Sequence, residues 1–133
     1  MRIFMRAGEK LYLNGAVFSV DRKVSLELLN DATFLLQSHV LQASEATSPL
    51  RQIYFAVQLM LMDPADARAI SEPTERMLAA FLDATAGLPI AGDAALLRDL
   101  IRAGRLIDAL KGLRALFPAE AALSRIEPGR KTA

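Results

Sequence analysis

Residues 43–64 read ASEATSPLRQIYFAVQLMLMDP, and the rest of the chain is organised around them. Thr47 or Ser48 can cap a helix start, and Pro49 fits the first helical position, where a missing N–H costs nothing. Asp63-Pro64 ends the segment, because a residue before proline is pushed out of the α region. Leu50, Ile53, Tyr54, Val57, Met60 and Leu61 follow helical spacing and define one apolar face. Ala56 and Leu59 widen it, leaving a polar stripe of only Arg51, Gln52 and Gln58. A helix apolar nearly all round is buried, in the core or against a partner. Pro49 to Met62 spans roughly 21 Å, short of a bilayer core of about 30 Å.

Before this helix the pattern has period two. Ile3 and Met5 alternate with Arg2, Phe4 and Arg6. Leu11 and Leu13 stand opposite Lys10 and Tyr12, and Ala16, Phe18 and Val20 opposite Val17 and Ser19. A fourth strand runs through Val24, Leu26 and Leu28, and a fifth through Thr33–Gln37. Ser38–Leu41 reads as a short edge strand. Turn signals at 7–9, 14–15, 21–23 and 30–31 separate the strands; Asn14-Gly15 is the strongest hairpin signal, since both residues accept positive φ. The evenly spaced turns predict a small antiparallel sheet or barrel over residues 1–48, with the Pro49 helix as the element that covers it.

From Asp63 onward the period is helical. A face through Ala67, Ile70, Met77, Leu78 and Phe81 continues past Pro73, which predicts a kink or two shorter helices there. Gly87-Leu88-Pro89 breaks the run. Asp93 reads as the cap of a helix over 94–103 ended by Gly104, and another covers 105–117, with Leu106, Leu110 and Leu113 on one side. Pro118 reads as the start of a last short helix to about Ile126. The fold class is therefore α+β: a β-rich region (1–48), a helical region of about four to five helices (49–127) and a basic tail (128–133).

The composition bounds function more by exclusion. The chain has 133 residues, 53% hydrophobic and 23% charged, which fits a folded domain, and its net charge of +1 shows no global basic field. It lacks cysteine, which excludes disulfides and thiol chemistry. There is no signal-peptide pattern and no apolar run long enough for a membrane span, so the expected location is the cytoplasm. His39 has no acidic neighbour and reads as a surface or edge-strand residue. No metal-ligand spacing, phosphate loop or nucleophile–base pair stands out, so we expect neither catalysis nor a cofactor.

Charge distribution is more informative. Residues 1–24 carry Arg2, Arg6, Lys10, Arg22 and Lys23 against Glu9 and Asp21, a local net charge of +3. Arg2, Phe4 and Arg6 share one strand face. Two arginines flanking an aromatic suit RNA, with arginine for phosphate and the aromatic for stacking. The competing reading buries Phe4 and leaves the arginines bordering a core. A second basic run, Arg98, Arg102, Arg105, Lys111 and Arg114, reads as a solvated helix face.

GEKLYLNGAV (8–17), Arg22, FLLQ (34–37) and EATSPLRQIYFAVQLMLMDP (45–64) together resemble the FlbT family of flagellin-synthesis regulators from alphaproteobacteria. Gly8, Glu9, Asn14, Gly15, Ala16, Val17, Ala46, Thr47, Pro49, Ile53, Tyr54, Phe55, Gln58, Asp63 and Pro64 carry the match, and ALKGLRAL (109–116) followed by Glu120 extends it. The chain departs from the pattern in having Ser48 between Thr47 and Pro49, Leu36-Gln37 in place of Arg-Glu, and Pro73. The resemblance implies a non-catalytic post-transcriptional regulator that associates with the 5′ untranslated region of flagellin mRNA and alters its translation or degradation. The sign of that effect stays open. A FlaF-like protein is the implied protein partner, with flagellin a further candidate. Candidate RNA contacts are Arg2, Phe4, Arg6, Lys10, Arg22, Lys23 and Arg51. Candidate partner contacts are Leu106, Leu110 and Leu113. A fainter similarity of residues 2–57 to the carbon storage regulator family, through Arg6, Gly8, Glu9, Leu11, Ile53 and Tyr54, implies RNA contacts on the first strand and a homodimer. The alternative function is an adaptor or chaperone in flagellar assembly, acting through the apolar helices.

Overall fold

The computed structural model describes residues 2–13, 16–30, 32 and 34–126. Five short strands come first: β1 (Arg2–Met5), β2 (Lys10–Leu13), β3 (Ala16–Ser19), β4 (Val24–Glu27) and β5 (Phe34–Leu36). Four helices follow: α1 (Pro49–Met62), α2 (Ala67–Ala84), α3 (Pro89–Arg102) and α4 (Leu106–Ile126). This is the expected α+β class. The strands form two small antiparallel sheets rather than one sheet or barrel: β1 pairs with β4, and β2 is flanked by β3 and β5. Asn14-Gly15 and the basic tail lie outside the described residues, but β2 and β3 pair in the register a tight hairpin requires, Leu13 opposite Ala16.

Alternation fixes the faces of β1. Ile3 and Met5 are buried while Arg2, Phe4 and Arg6 are exposed. Ile3 and Met5 join Leu11 in a small cluster padded by Val20, Val24, Leu28, Phe34 and Leu36. The larger core is helical. Leu50, Ile53, Tyr54 and Val57 of α1 pack with Leu78 and Phe81 of α2, Ile90, Leu97 and Ile101 of α3, and Leu110 and Leu113 of α4; Leu35 and Leu41 join from the N-terminal region. The expectation that the Pro49 helix mainly covers the sheet is thus corrected: α2 and α4 flank it, and the β region reaches it at one margin through Leu35 and Leu41. A helix apolar nearly all round fits this central place.

Several helix boundaries differ from expectation. α2 runs without a break through Pro73 and α4 through Pro118. Each proline removes one backbone donor, and packing on the core outweighs that loss. α3 starts at Pro89, with Asp93 inside it. Its buried face begins at Ile90 and continues through Ala94, Leu97 and Ile101, so tertiary contact draws the helix start back past Gly92-Asp93. Gly104, at φ +77°, does end α3. The Gly104 and Arg105 N–H groups return to the carbonyls of Ile101 and Leu100, which satisfies two terminal acceptors through a left-handed residue.

Ser38–Leu41 is not an edge strand. A 3-10 turn occupies Gln37–His39. The reason lies in α1, whose side chains satisfy this backbone in place of a neighbouring strand. The Tyr54 hydroxyl donates to the His39 carbonyl. Gln58 accepts from the Leu41 N–H at 2.7 Å and donates to the Leu41 carbonyl at 2.8 Å.

Candidate nucleic-acid interface

The antiparallel register of β1 and β4 sets Arg2 opposite Glu27, Phe4 opposite Ser25 and Met5 opposite Val24. Directly opposed residues project to the same side. Arg2, Phe4, Glu27 and Ser25 therefore share one outer face, and Arg6 and Lys23 follow directly beyond the last registered pair, Met5 and Val24. Phe4 is 69% exposed, so the reading in which it is buried behind bordering arginines is excluded. Arg2 donates to Ser25 and lies 3.6 Å from the Glu27 carboxylate, which restrains its guanidinium and offsets its charge. The unneutralised positive charge of this face gathers at the Arg6 end.

Two turns meet at that end. Gly8, at φ +80°, lets the β1–β2 turn close tightly, and its N–H donates to the Val20 carbonyl at 2.7 Å. Glu9 accepts from the Arg6 N–H, which closes the turn with a carboxylate. Lys10 lies opposite Ser19, beside the same junction, and its backbone N–H donates to the Gln37 side chain. Arg22 pairs with exposed Asp21 at 3.4 Å. Arg6, Lys10, Arg22 and Lys23 thus occupy one corner of the β region, all exposed. Exposed cations of this kind can contact phosphate, and an exposed phenylalanine such as Phe4 can present a flat face to a base.

Arg51 belongs elsewhere. It is half-buried on α1, with its guanidinium 4.3 Å from the centre of the Phe117 ring on α4. Its neighbour in the expected polar stripe, Gln58, is 2% exposed and binds the Leu41 backbone. The polar stripe of α1 is therefore largely structural. Of the candidate partner contacts, Leu110 and Leu113 are fully buried and Leu106 is half-buried against the same core. This corrects their assignment as a protein-binding face: they hold α4 on α1 and α3.

Several polar contacts escaped the sequence reading. Glu120, 6% exposed, accepts from the Ser48 hydroxyl and from the Leu50 N–H at 2.8 Å, so a carboxylate of α4 caps the start of α1. Arg114 donates to the Tyr54 hydroxyl at 2.8 Å. Burial holds the Tyr54 phenol above its ordinary value against the opposing pull of Arg114, which keeps the hydroxyl a donor to His39. The second basic run is divided by pairing: Arg102 grips Glu75 at 2.7 and 3.0 Å, and Arg105 grips Asp108 at 2.6 Å. Lys111 and Arg114 have no carboxylate partner among the described residues. No group of side chains suited to a metal ion occurs among those residues, and no helix there is long and apolar enough to cross a membrane.

The family model described as "Flagellar protein FlbT" matches residues 1–124. A relative from Brucella anthropi, named a probable flagellum biosynthesis repressor protein FlbT, is 46% identical over 127 residues, covering 96% of this chain and 84% of its own. Relatives of the same name from Brucella ovis and Brucella suis are 46% identical over 128 residues, with the same coverage. No solved structure matches the chain. The match extends from the exposed Arg2–Arg6 face to Glu120 on the last helix, and on it the chain belongs to the FlbT family.

Proposed function

We propose that the chain is a post-transcriptional regulator that associates with the 5′ untranslated region of flagellin mRNA and modulates its translation or degradation. The repressor names of its curated relatives support a regulatory, non-enzymatic role in flagellum biosynthesis. The observation that carries the RNA reading is Phe4. A phenylalanine 69% exposed between two exposed arginines supports this reading, as a surface on which a base can stack beside cations suited to phosphate. Gel shifts with a flagellin leader RNA across a salt series provide the test. Affinity should fall steeply with salt, and Arg2→Ala with Arg6→Ala should weaken binding and flatten the slope by about one per phosphate contact removed. Unchanged affinity in that double variant refutes the strand-face assignment.

An adaptor in flagellar assembly, acting through a FlaF-like protein or flagellin, is the second reading. Val17, Phe18 and Leu29 favour it, as large apolar side chains left exposed in the β region. Pull-down with either protein in RNase-treated buffer tests it; binding that disappears with the RNA counts against it.

A further inference from the structure

A cleft of about 860 Å³ opens between the β4–β5 region and α4. Leu28, Phe34 and Leu36 line one side and Ile107 the other, with Asn30 at the margin. Lys111 and Arg114 stand along its α4 edge. From these residues we infer that the cleft is a docking groove for an amphipathic helix of a partner protein, one that carries acidic side chains beside its apolar anchors.

Dimensions, charge and wall chemistry carry the inference. From Ile107 to Arg114 the groove follows about two turns of α4, roughly 10 Å, the span that anchors at i, i+3/i+4 and i+7 cover. Lys111 is exposed, and Arg114 uses one N–H on Tyr54. Asp108, the carboxylate of the cleft among the described residues, is paired with Arg105. His39, also in the wall, is held below the ordinary imidazole range by burial and then by Arg114, and adds no charge at neutral pH. Among the described residues, Lys111 and Arg114 therefore face the trough without a carboxylate partner. Leu29, 88% exposed, forms part of the lip and would be covered by an occupant. Phe34 in the wall is half-buried against the small core, and leucine and isoleucine supply most of the remaining apolar lining, which suits a helix better than stacked bases. The groove requires neither the RNA contact nor a particular flagellar partner.

Fluorescence anisotropy on the full chain tests it. The probes are two labelled helical peptides of about 16 residues. Both carry leucine at i, i+4, i+7 and i+11; glutamate flanks the leucines in one and lysine in the other. The acidic peptide should bind saturably, at least about tenfold more tightly than the basic one. Lys111→Glu with Arg114→Glu should reverse that order. Since Arg114 also contacts Tyr54, Lys111→Glu alone provides the surface variant, and it should narrow the preference while leaving leader-RNA gel shifts unchanged. Absence of saturation by the acidic peptide up to about 1 mM, equal binding of both peptides, or a preference indifferent to Lys111→Glu overturns the proposal. Competitive displacement of the acidic peptide by a single-stranded oligonucleotide also overturns it and assigns the groove to nucleic acid.

Discussion

Gln58→Ala should lower the unfolding free energy by about 3 kcal/mol. Gln58 is 2% exposed and holds both backbone groups of Leu41, at 2.7 and 2.8 Å. Two neutral hydrogen bonds contribute about 1 kcal/mol each, and a buried group left without a partner costs about 1–3 kcal/mol. Leu41 is itself only 9% exposed, so water replaces the amide poorly. Gln58→Glu sharpens the test, because a carboxylate accepts from the Leu41 N–H but faces the Leu41 carbonyl with no donor. Burial and that carbonyl raise the folded-state pKa of the introduced acid above its unfolded value of about 4.3. The Glu variant should therefore be closest to wild type below that value and lose stability as pH rises toward the folded-state pKa. Urea unfolding followed by the helical dichroism signal, at about pH 4 and pH 7, reads both effects. A loss under about 1 kcal/mol in Gln58→Ala, or a Glu variant whose pH dependence matches wild type, refutes the pinning role.

Four further expectations follow from single contacts. Glu120→Gln should cost about 1–2 kcal/mol in urea unfolding, because one of the two acceptors that receive Ser48 and Leu50 becomes a donor. Phe4→Ala should leave stability within about 0.5 kcal/mol but weaken leader-RNA affinity by about 1–3 kcal/mol if a base stacks there. Gly112→Ala should destabilise by up to about 2 kcal/mol, since its Cβ would collide with Leu97 Cδ2; Leu97→Ala should remove that penalty in a double-mutant cycle. Arg102 holds the Glu75 carboxyl below its ordinary value of 4.5, so this pair stabilises fully above that value and is lost as pH falls through the depressed one. Arg102→Gln should accordingly flatten the acid limb of the stability–pH curve.

Much of the fold was legible from local chemistry. Thr47 or Ser48, with Pro49 and Asp63, marked both ends of α1, where Ser48 is the cap, and alternation separated Ile3 and Met5 from Arg2 and Phe4. Family membership was legible from the same stretches. The misreadings share a cause: they concern competition between local preference and tertiary contact. Pro73, Asp93 and Pro118 are break or cap signals by propensity, yet each lies inside a helix held by a packed face. Ser38–Leu41 looked like a strand because its backbone partners, Tyr54 and Gln58, lie on a helix and not on an adjacent segment. The strand-face cations emerged from period two alone, whereas the joining of the two turns at Gly8 and Val20 needed the structure. The burial of Leu110 and Leu113 was visible only once α1 and α3 were seen to cover α4's apolar side.

The carboxylate at the start of α1 comes from a residue 72 positions later. During synthesis the ribosome releases α1 long before Glu120 emerges. Through that interval the most apolar helix of the chain has one face waiting for α4 and a terminus short of a charged acceptor. Non-local closure of this kind is slow to form, and exposed intermediates invite aggregation or chaperone capture. Completion of α4 is thus the event that finishes α1, and a nascent chain halted before Glu120 remains unfinished at its centre.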